Sequence, residues 1–231
     1  MEIEILYEDK DYLIIDKPSG LMVHSDGRSN EQTLVDWVLE NYPEMESVGE
    51  KFRGGLVHRL DRETSGVLAL AKNQKAFEHL KNQFQERKIQ KVYKAFVYGI
   101  VKEDREVIDR PIGRSQKFGL WSAQRGTRGK EREAITEYKV LRRGGGYSFL
   151  ELQPKTGRTH QIRVHLKAIN YPVVCDKLYA SKSECALGFE RLALHAESLE
   201  FEGLNGNKIK VISPLPGDFI EAQEQLKNVA E

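Results

Sequence analysis

Residues 3–7 and 12–15 are short runs rich in isoleucine, leucine and tyrosine, and they predict two strands joined at the polar Glu8-Asp9-Lys10-Asp11. Pro18-Ser19-Gly20 then breaks the chain into a loop. Thr33 is placed to cap a helix that carries Leu34, Trp37 and Val38 on one face. The nearly all-apolar run 67–71 reads as a strand. Residues 74–88 read as an amphipathic helix, because Phe77, Leu80 and Phe84 fall at helical spacing. Residues 92–98 alternate like a strand, whereas 101–132 read as irregular, extended and basic, with one strand near Val107-Ile108. Segments 134–141 and 147–152 predict a hairpin around Gly144-Gly145-Gly146. Residues 159–170 predict a helix with Ile162, Leu166 and Ile169 on its buried stripe and His160, Arg163 and Lys167 on another face. Strands follow at 192–195 and 199–201, with an edge strand near 209–212. There is no internal repeat, low-complexity tract or Pro/Ser-rich linker, so one mixed α/β domain over 1–231 is the simplest organisation.

Composition narrows the class. With 39% hydrophobic and 31% charged residues in 231, the chain matches a globular protein able to bury its own core. No apolar run approaches the roughly 20 residues that a membrane helix needs, and the start Met1-Glu2-Ile3-Glu4 lacks the flank and apolar stretch of a signal peptide. The two cysteines, Cys175 and Cys185, form no C-x-x-C pair, so a reduced, cytoplasmic protein is expected. The net charge of +1 conceals an asymmetry. Residues 1–50 hold 3 Lys/Arg against 13 Asp/Glu, whereas residues 51–132 hold 20 against 9. A positive face of that kind suits a polyphosphate partner, although a solvated charge-rich surface has the same composition.

Four stretches combine glycine, charge and hydroxyl groups in ways that core packing does not require. The first, Lys17-Pro18-Ser19-Gly20-Leu21-Met22-Val23-His24, reads on its own as a turn after a strand. The second, Leu56-Val57-His58-Arg59-Leu60-Asp61-Arg62-Glu63-Thr64-Ser65-Gly66, sets an aspartate between two arginines before a Thr-Ser-Gly bend. Flanking positive charge favours an ionised carboxylate that can act as nucleophile or base; a surface ion-pair cluster fits the same spacing. The third, Lys91-Val92-Tyr93-Lys94-Ala95, places Tyr93 either in a core or at the wet edge of a cleft, as a platform for a base. The fourth, Thr156-Gly157-Arg158-Thr159-His160-Gln161-Ile162-Arg163-Val164-His165, is a Gly turn entering a basic helix, which suits an anion. It is not a P-loop, because the second glycine and the Lys-Ser/Thr pair are missing. His160 and His165, five apart, make no metal pair; no G-x-S-x-G elbow and no G-x-G-x-x-G fingerprint occurs anywhere.

Together these stretches resemble the RluA family of RNA pseudouridine synthases. The resemblance rests on His58-Arg59-Leu60-Asp61-x-x-Thr64-Ser65-Gly66, on Lys91-Val92-Tyr93-Lys94-Ala95, on the 156–165 stretch, and on Arg191-Leu192-x-Leu194-His195-Ala196. The motifs stand in the family's order and span residues 12 to 215. The resemblance implies an α+β catalytic domain with a mixed, mostly antiparallel central sheet, flanking helices and a central cleft. It implies isomerisation of a uridine within structured RNA, ribosomal or transfer, with no cofactor. No metal-ligand cluster is visible in the sequence, and nothing in it demands more than a cytoplasmic monomer. Asp61 would be the catalytic carboxylate. Tyr93 would stack on the base and take the proton from carbon 5, and Arg163 would pair with the aspartate. His58, Arg59, Leu60, Arg62, Thr64, Arg158 and His160 would contact substrate, with Leu192 or Leu194 flooring the base. A separate N-terminal RNA-binding domain, which many relatives carry, is not expected. Substrate choice would then rest on residues 110–132, including Arg125 and Arg128. Near residue 170 the chain departs from the family pattern: Asn170 stands at the helix end and Cys175-Asp176 replaces a Gly-Asp pair. A catalytically idle RNA-binding module on the same scaffold, and a hydrolase acting on a free nucleoside, are the rival readings.

Overall fold

Most patterned segments become the elements that their periodicity predicts in the computed structural model, which describes residues 2–25, 31–50, 53–116, 120–124 and 126–228. Strands β1 (Glu4–Glu8) and β2 (Tyr12–Lys17) precede helix α1 (Leu34–Asn41), a 3-10 turn at Pro43–Ser47, strand β3 (Ser65–Ala71) and helix α2 (Gln74–Gln85). Seven strands follow: β4 (Gln90–Tyr98), β5 (Arg105–Asp109), β6 (Ile112–Arg114), β7 (Trp121–Ser122), β8 (Arg128–Arg132), β9 (Ile135–Gly144) and β10 (Tyr147–Pro154). Helix α3 (Gln161–Ala168), strands β11 (Leu194–Glu202) and β12 (Lys208–Ile212), and helix α4 (Gly217–Asn228) complete the order. The architecture is mixed α+β with mostly antiparallel pairing. Among the described residues no helix is long and apolar enough to cross a membrane. Contacts divide the chain into two compact units, Met1–Lys91 with Ala196–Pro214, and Val92–His195 with Leu215–Glu231.

In the first unit β2 lies between β1 and β3, and the register sets Tyr12 opposite Ala71 and Lys17 opposite Gly66. Leu13, Ile14, Ile15 and the whole of β3 are buried, which explains why 67–71 reads as a continuous apolar run rather than an alternation. The register has a consequence for chemistry: it brings the loop that leaves β2 beside the bend that enters β3. Gly66 also lets the start of β3 approach Ala196 of β11 closely. Its φ is +113°, and a Cβ there would stand 2.2 Å from the Ala196 carbonyl oxygen, so no side chain is tolerated. Helix α1 starts where Thr33 predicts it, with a complete capping box: the Asp36 N–H donates to the Thr33 hydroxyl at 3.3 Å and the Thr33 N–H to the Asp36 carboxylate at 2.8 Å.

In the second unit the strands run in the order β4-β10-β9-β5, all antiparallel. The hairpin between β9 and β10 turns on Gly145 and Gly146, whose φ values of +56° and +85° are those of a two-residue turn that glycine permits. Phe96 is the centre of the core, stacked on Phe149 at 4.5 Å and flanked by Phe189 and Phe219. Helix α4, which the sequence pattern did not predict, supplies Phe219, Ala222 and Leu226 to that core. Three further departures have physical causes. Residues 101–132 are not irregular, because β5 joins the main sheet and β6, β7 and β8 pair in a small sheet of their own. Every residue of β8 is exposed, so backbone pairing defines the strand and no apolar period betrays it. The strands expected at 192–195 and 199–201 are one strand from Leu194, because Ser198 is buried although polar. Lastly, Cys175 and Cys185, expected to be reduced thiols, are joined as a disulfide whose Cα atoms are 4.5 Å apart. The chain between them folds back in turns, a closure that sequence spacing does not reveal.

Candidate active site

The segment around Asp61 is not a loose surface cluster. Half-buried Asp61 opens a turn in which the Thr64 N–H donates to the Asp61 carbonyl at 3.1 Å. The loop 17–21 holds that turn from below. Lys17 is wholly buried, and its ammonium donates to the carbonyl oxygens of Pro18 at 2.7 Å, Leu21 at 3.0 Å and Arg62 at 3.0 Å. The Gly20 N–H also donates to the Arg62 carbonyl, Arg62 Nε donates back to the Gly20 carbonyl at 3.0 Å, and the Ser19 hydroxyl donates to the Glu63 carbonyl at 2.7 Å. The stretch that reads in isolation as a turn is therefore the brace of the second. The exposed Arg62 guanidinium is also engaged by Glu31 at 2.7 Å.

The other sequence-selected residues of this unit divide by environment. Arg59 is exposed, Leu60 and Thr64 are buried. Part of His58 reaches the surface, but its ring stacks on Phe84 at 4.6 Å and its Nε2 accepts the Ala69 N–H at 3.0 Å. Burial, helped by the positive charge of Lys91, pushes its pKa down to about 3, so the imidazole is neutral and offers no cation to a phosphate. Burial likewise lowers the Lys91 ammonium to about 8.

In the second unit Tyr93 is half-buried and packs against the aromatic core, and its strand neighbour Lys94 pairs with Glu151 at 2.7 Å. Arg163, on α3, is almost wholly buried and forms a two-pronged pair with Asp176: Nε to Oδ2 and Nη2 to Oδ1, both 2.8 Å. Its guanidinium lies over the Tyr179 ring at 5.1 Å. The Tyr179 hydroxyl in turn meets His160 Nδ1 at 2.9 Å and accepts the Trp121 N–H at 3.2 Å. Arg163 thus belongs to a buried network, while Lys167, one turn further on, is exposed. His160 caps α3 from a left-handed conformation, φ +55°. His165 is fully buried between the Thr136 hydroxyl and the Arg110 carbonyl, both 2.9 Å away, and burial lowers its pKa. The two histidines therefore serve separate hydrogen-bond networks. Arg158 Nε donates to the Glu133 carbonyl at 3.0 Å, and Leu192 and Leu194 are both buried in the core.

Asp176 and Tyr179 are the residues that sequence reasoning missed. Their signal was the departure at 170–176. Asn170 and Cys175 both have positive φ, +66° and +59°, the conformation that glycine usually supplies. The backbone demanded by the family pattern is kept although the glycine is not.

The sequence model described as RNA pseudouridylate synthase matches residues 11–168, a span that includes Asp61, Tyr93 and Arg163. This chain belongs to that family. The family's members are isomerases, and the match agrees with the RluA resemblance carried by the motifs. An RNA pseudouridine synthase of Aquifex aeolicus is 45% identical over 185 residues, covering 78% of this chain and 57% of that protein. The ribosomal large subunit pseudouridine synthase D of Pseudomonas aeruginosa is 36% identical over 232 residues, covering 95% of this chain and 70% of its own length. Among solved structures, human RNA pseudouridylate synthase domain containing 1 aligns with a TM-score of 0.77 and 29% identity, over 93% of this chain and 84% of that one. As a family member, the protein carries the motif aspartate on a braced turn and the motif arginine in a buried pair.

Proposed function

We propose that this protein isomerises uridine to pseudouridine within structured ribosomal RNA, with Asp61 as the catalytic carboxylate and Tyr93 and Arg163 as its partners in the reaction. The observation that carries the reading is the construction around Asp61: a buried lysine and a reciprocal pair of hydrogen bonds between Gly20 and Arg62 hold one half-buried carboxylate on a turn that no core requirement explains. Ribosomal RNA is favoured over transfer RNA by the name of the Pseudomonas relative. The family match runs across both compact units, which supports reading residues 1–231 as one catalytic domain. Modification of ribosomal RNA would place it, as a monomer, in the cytoplasm where ribosomes are assembled.

The chemistry is a net isomerisation. The bond between C1′ and N1 breaks, uracil turns, C1′ bonds to C5, the C5 proton leaves and N1 gains a proton. An ionised carboxylate can attack the sugar or remove a proton in such a sequence, and a tyrosine stacked on the base can take the C5 proton. A stacked uridine exposes neither face, so it must leave its helix first, at a cost of a few kcal/mol. Phosphate contacts to the basic 51–132 stretch offset that cost. The experiment is to incubate wild-type protein and Asp61→Ala with total RNA from a strain lacking the gene, then map pseudouridine by carbodiimide labelling. Sites made by the wild type alone support the reading and name the RNA. RNA binding without any new site would favour a catalytically idle RNA-binding module.

A further inference from the structure

We infer that Asp176 is a positioning residue for the reaction, one that fixes the plane and direction of the Arg163 guanidinium; the inference rests on the role given to Arg163 above. The Asp176 carboxylate is 1% exposed and receives four hydrogen bonds. Two come from Arg163, and two come from the backbone N–H groups of Leu178 and Tyr179, each 3.0 Å from Oδ1. The backbone donors matter because they tie the carboxylate to the chain itself. The Ala180 N–H donates to the Asp176 carbonyl at 2.8 Å, closing the same turn, and the preceding Cys175 is bound to Cys185. The carboxylate is thus the fixed member of the pair and the long arginine side chain the oriented one. A planar guanidinium gripped along its Nε–Nη2 edge has its third corner, Nη1, set in direction. The Tyr179 ring, 5.1 Å from Arg163 Cζ, adds a second constraint on that plane.

Stability alone does not account for the arrangement, because a buried ion pair adds little to it over apolar residues of the same size. Four donors converging on one carboxylate supply geometry instead, and geometry is what an arginine acting on a catalytic carboxylate must have.

The test is single-turnover release of tritium from unmodified ribosomal RNA labelled at uridine C5, with RNA affinity and thermal melting measured in parallel. The variants are Asp176→Asn, Asp176→Glu, Arg163→Ala and Arg163→Ala/Asp176→Asn. Asparagine keeps an oxygen for the Leu178 and Tyr179 N–H groups but presents an amide to Arg163. We expect its rate at saturating RNA to fall roughly a hundredfold, as a small misplacement of a reacting group does, with RNA affinity unchanged. Asp176→Glu, which keeps the charge, should recover part of the rate. In the Arg163→Ala background, Asp176→Asn should slow the reaction no further, an epistasis that a purely structural role would not produce. A wild-type rate in folded Asp176→Asn, or in folded Asp176→Glu should asparagine prevent folding, overturns the proposal. So does equal slowing with and without Arg163. A wild-type rate for Arg163→Ala is a different failure: it removes the role assigned to Arg163 itself.

Discussion

The ammonium of Lys17 donates to the Arg62 carbonyl at 3.0 Å, so a side chain at the end of β2 anchors the backbone one residue beyond Asp61, 45 positions along the chain. Both partners lie in the same compact unit, and the β2–β3 register, with Lys17 opposite Gly66, brings them together.

Lys17→Met should therefore act through the turn. Three carbonyl oxygens lose a donor that water cannot replace, which should cost on the order of 2–4 kcal/mol of stability. Turnover should fall with it while RNA affinity holds, because the lysine faces the protein. Urea unfolding and a rate measured well below the melting temperature check both. An unchanged unfolding midpoint would mean that the Asp61 turn does not depend on this brace.

How far the sequence could be read depends on what kind of force sets each feature. Elements driven by an apolar period, such as α2 with Phe77 and Leu80 buried, stand where the pattern puts them. So does the start of α1, because a capping Thr33 is a local signal of a local structure. Strand β8 was illegible because its five residues are all exposed, and α4 because, among the described residues, Phe219, Ala222 and Leu226 alone mark its buried side. At the candidate site the residues proposed for the chemistry were picked out by their motifs. Their supports were not: Lys17 and Arg62, Arg163 and Asp176, and Cys175 and Cys185 meet only after the chain has folded.

The small sheet of β6, β7 and β8 carries the charge that the sequence located in 110–132. Arg114 stacks over Trp121 at 4.1 Å, and Arg128, Lys130 and Arg132 are exposed. Arg125, selected with Arg128 from the sequence, lies outside the described residues. Replacing Arg128 and Lys130 by alanine should weaken RNA binding. Each lost phosphate contact should reduce the slope of log affinity against log salt by about 0.7–0.9. Filter binding over a salt series reads both quantities, and an unchanged slope would make these cations a solvated surface and no more.

His58 makes stability depend on pH in a stated direction. Its folded pKa is about 3 against an ordinary 6.5, so between those values the unfolded chain binds a proton that the folded chain refuses. Stability must then rise with pH from about 3 to 6.5 and be insensitive to this group above that window. His58→Gln should flatten the slope between pH 4 and 6 in denaturant melts. A slope identical to wild type would place the charged form of His58 in the folded protein and undo the account of its environment.

The Cys175–Cys185 bond closes a loop with a sequence separation of 10, and such a loop restricts the unfolded chain by about 2–3 kcal/mol in the chain-entropy account. Cys185→Ser should lower stability by that amount. Because Cys185 is exposed, a reductant reaches the bond without unfolding, so dithiothreitol should lower the wild-type midpoint to that of the variant and leave the variant unmoved. Asp176, next to Cys175, keeps its two backbone donors within residues 178–179, inside the loop that opening would release. Reduction should therefore slow turnover less than Asp176→Asn does, since the carboxylate and its nearest donors survive. Thiol titration of the native protein decides the premise. Two free thiols in wild type would mean that the pair is open in solution, and the stability of Cys185→Ser would then match it.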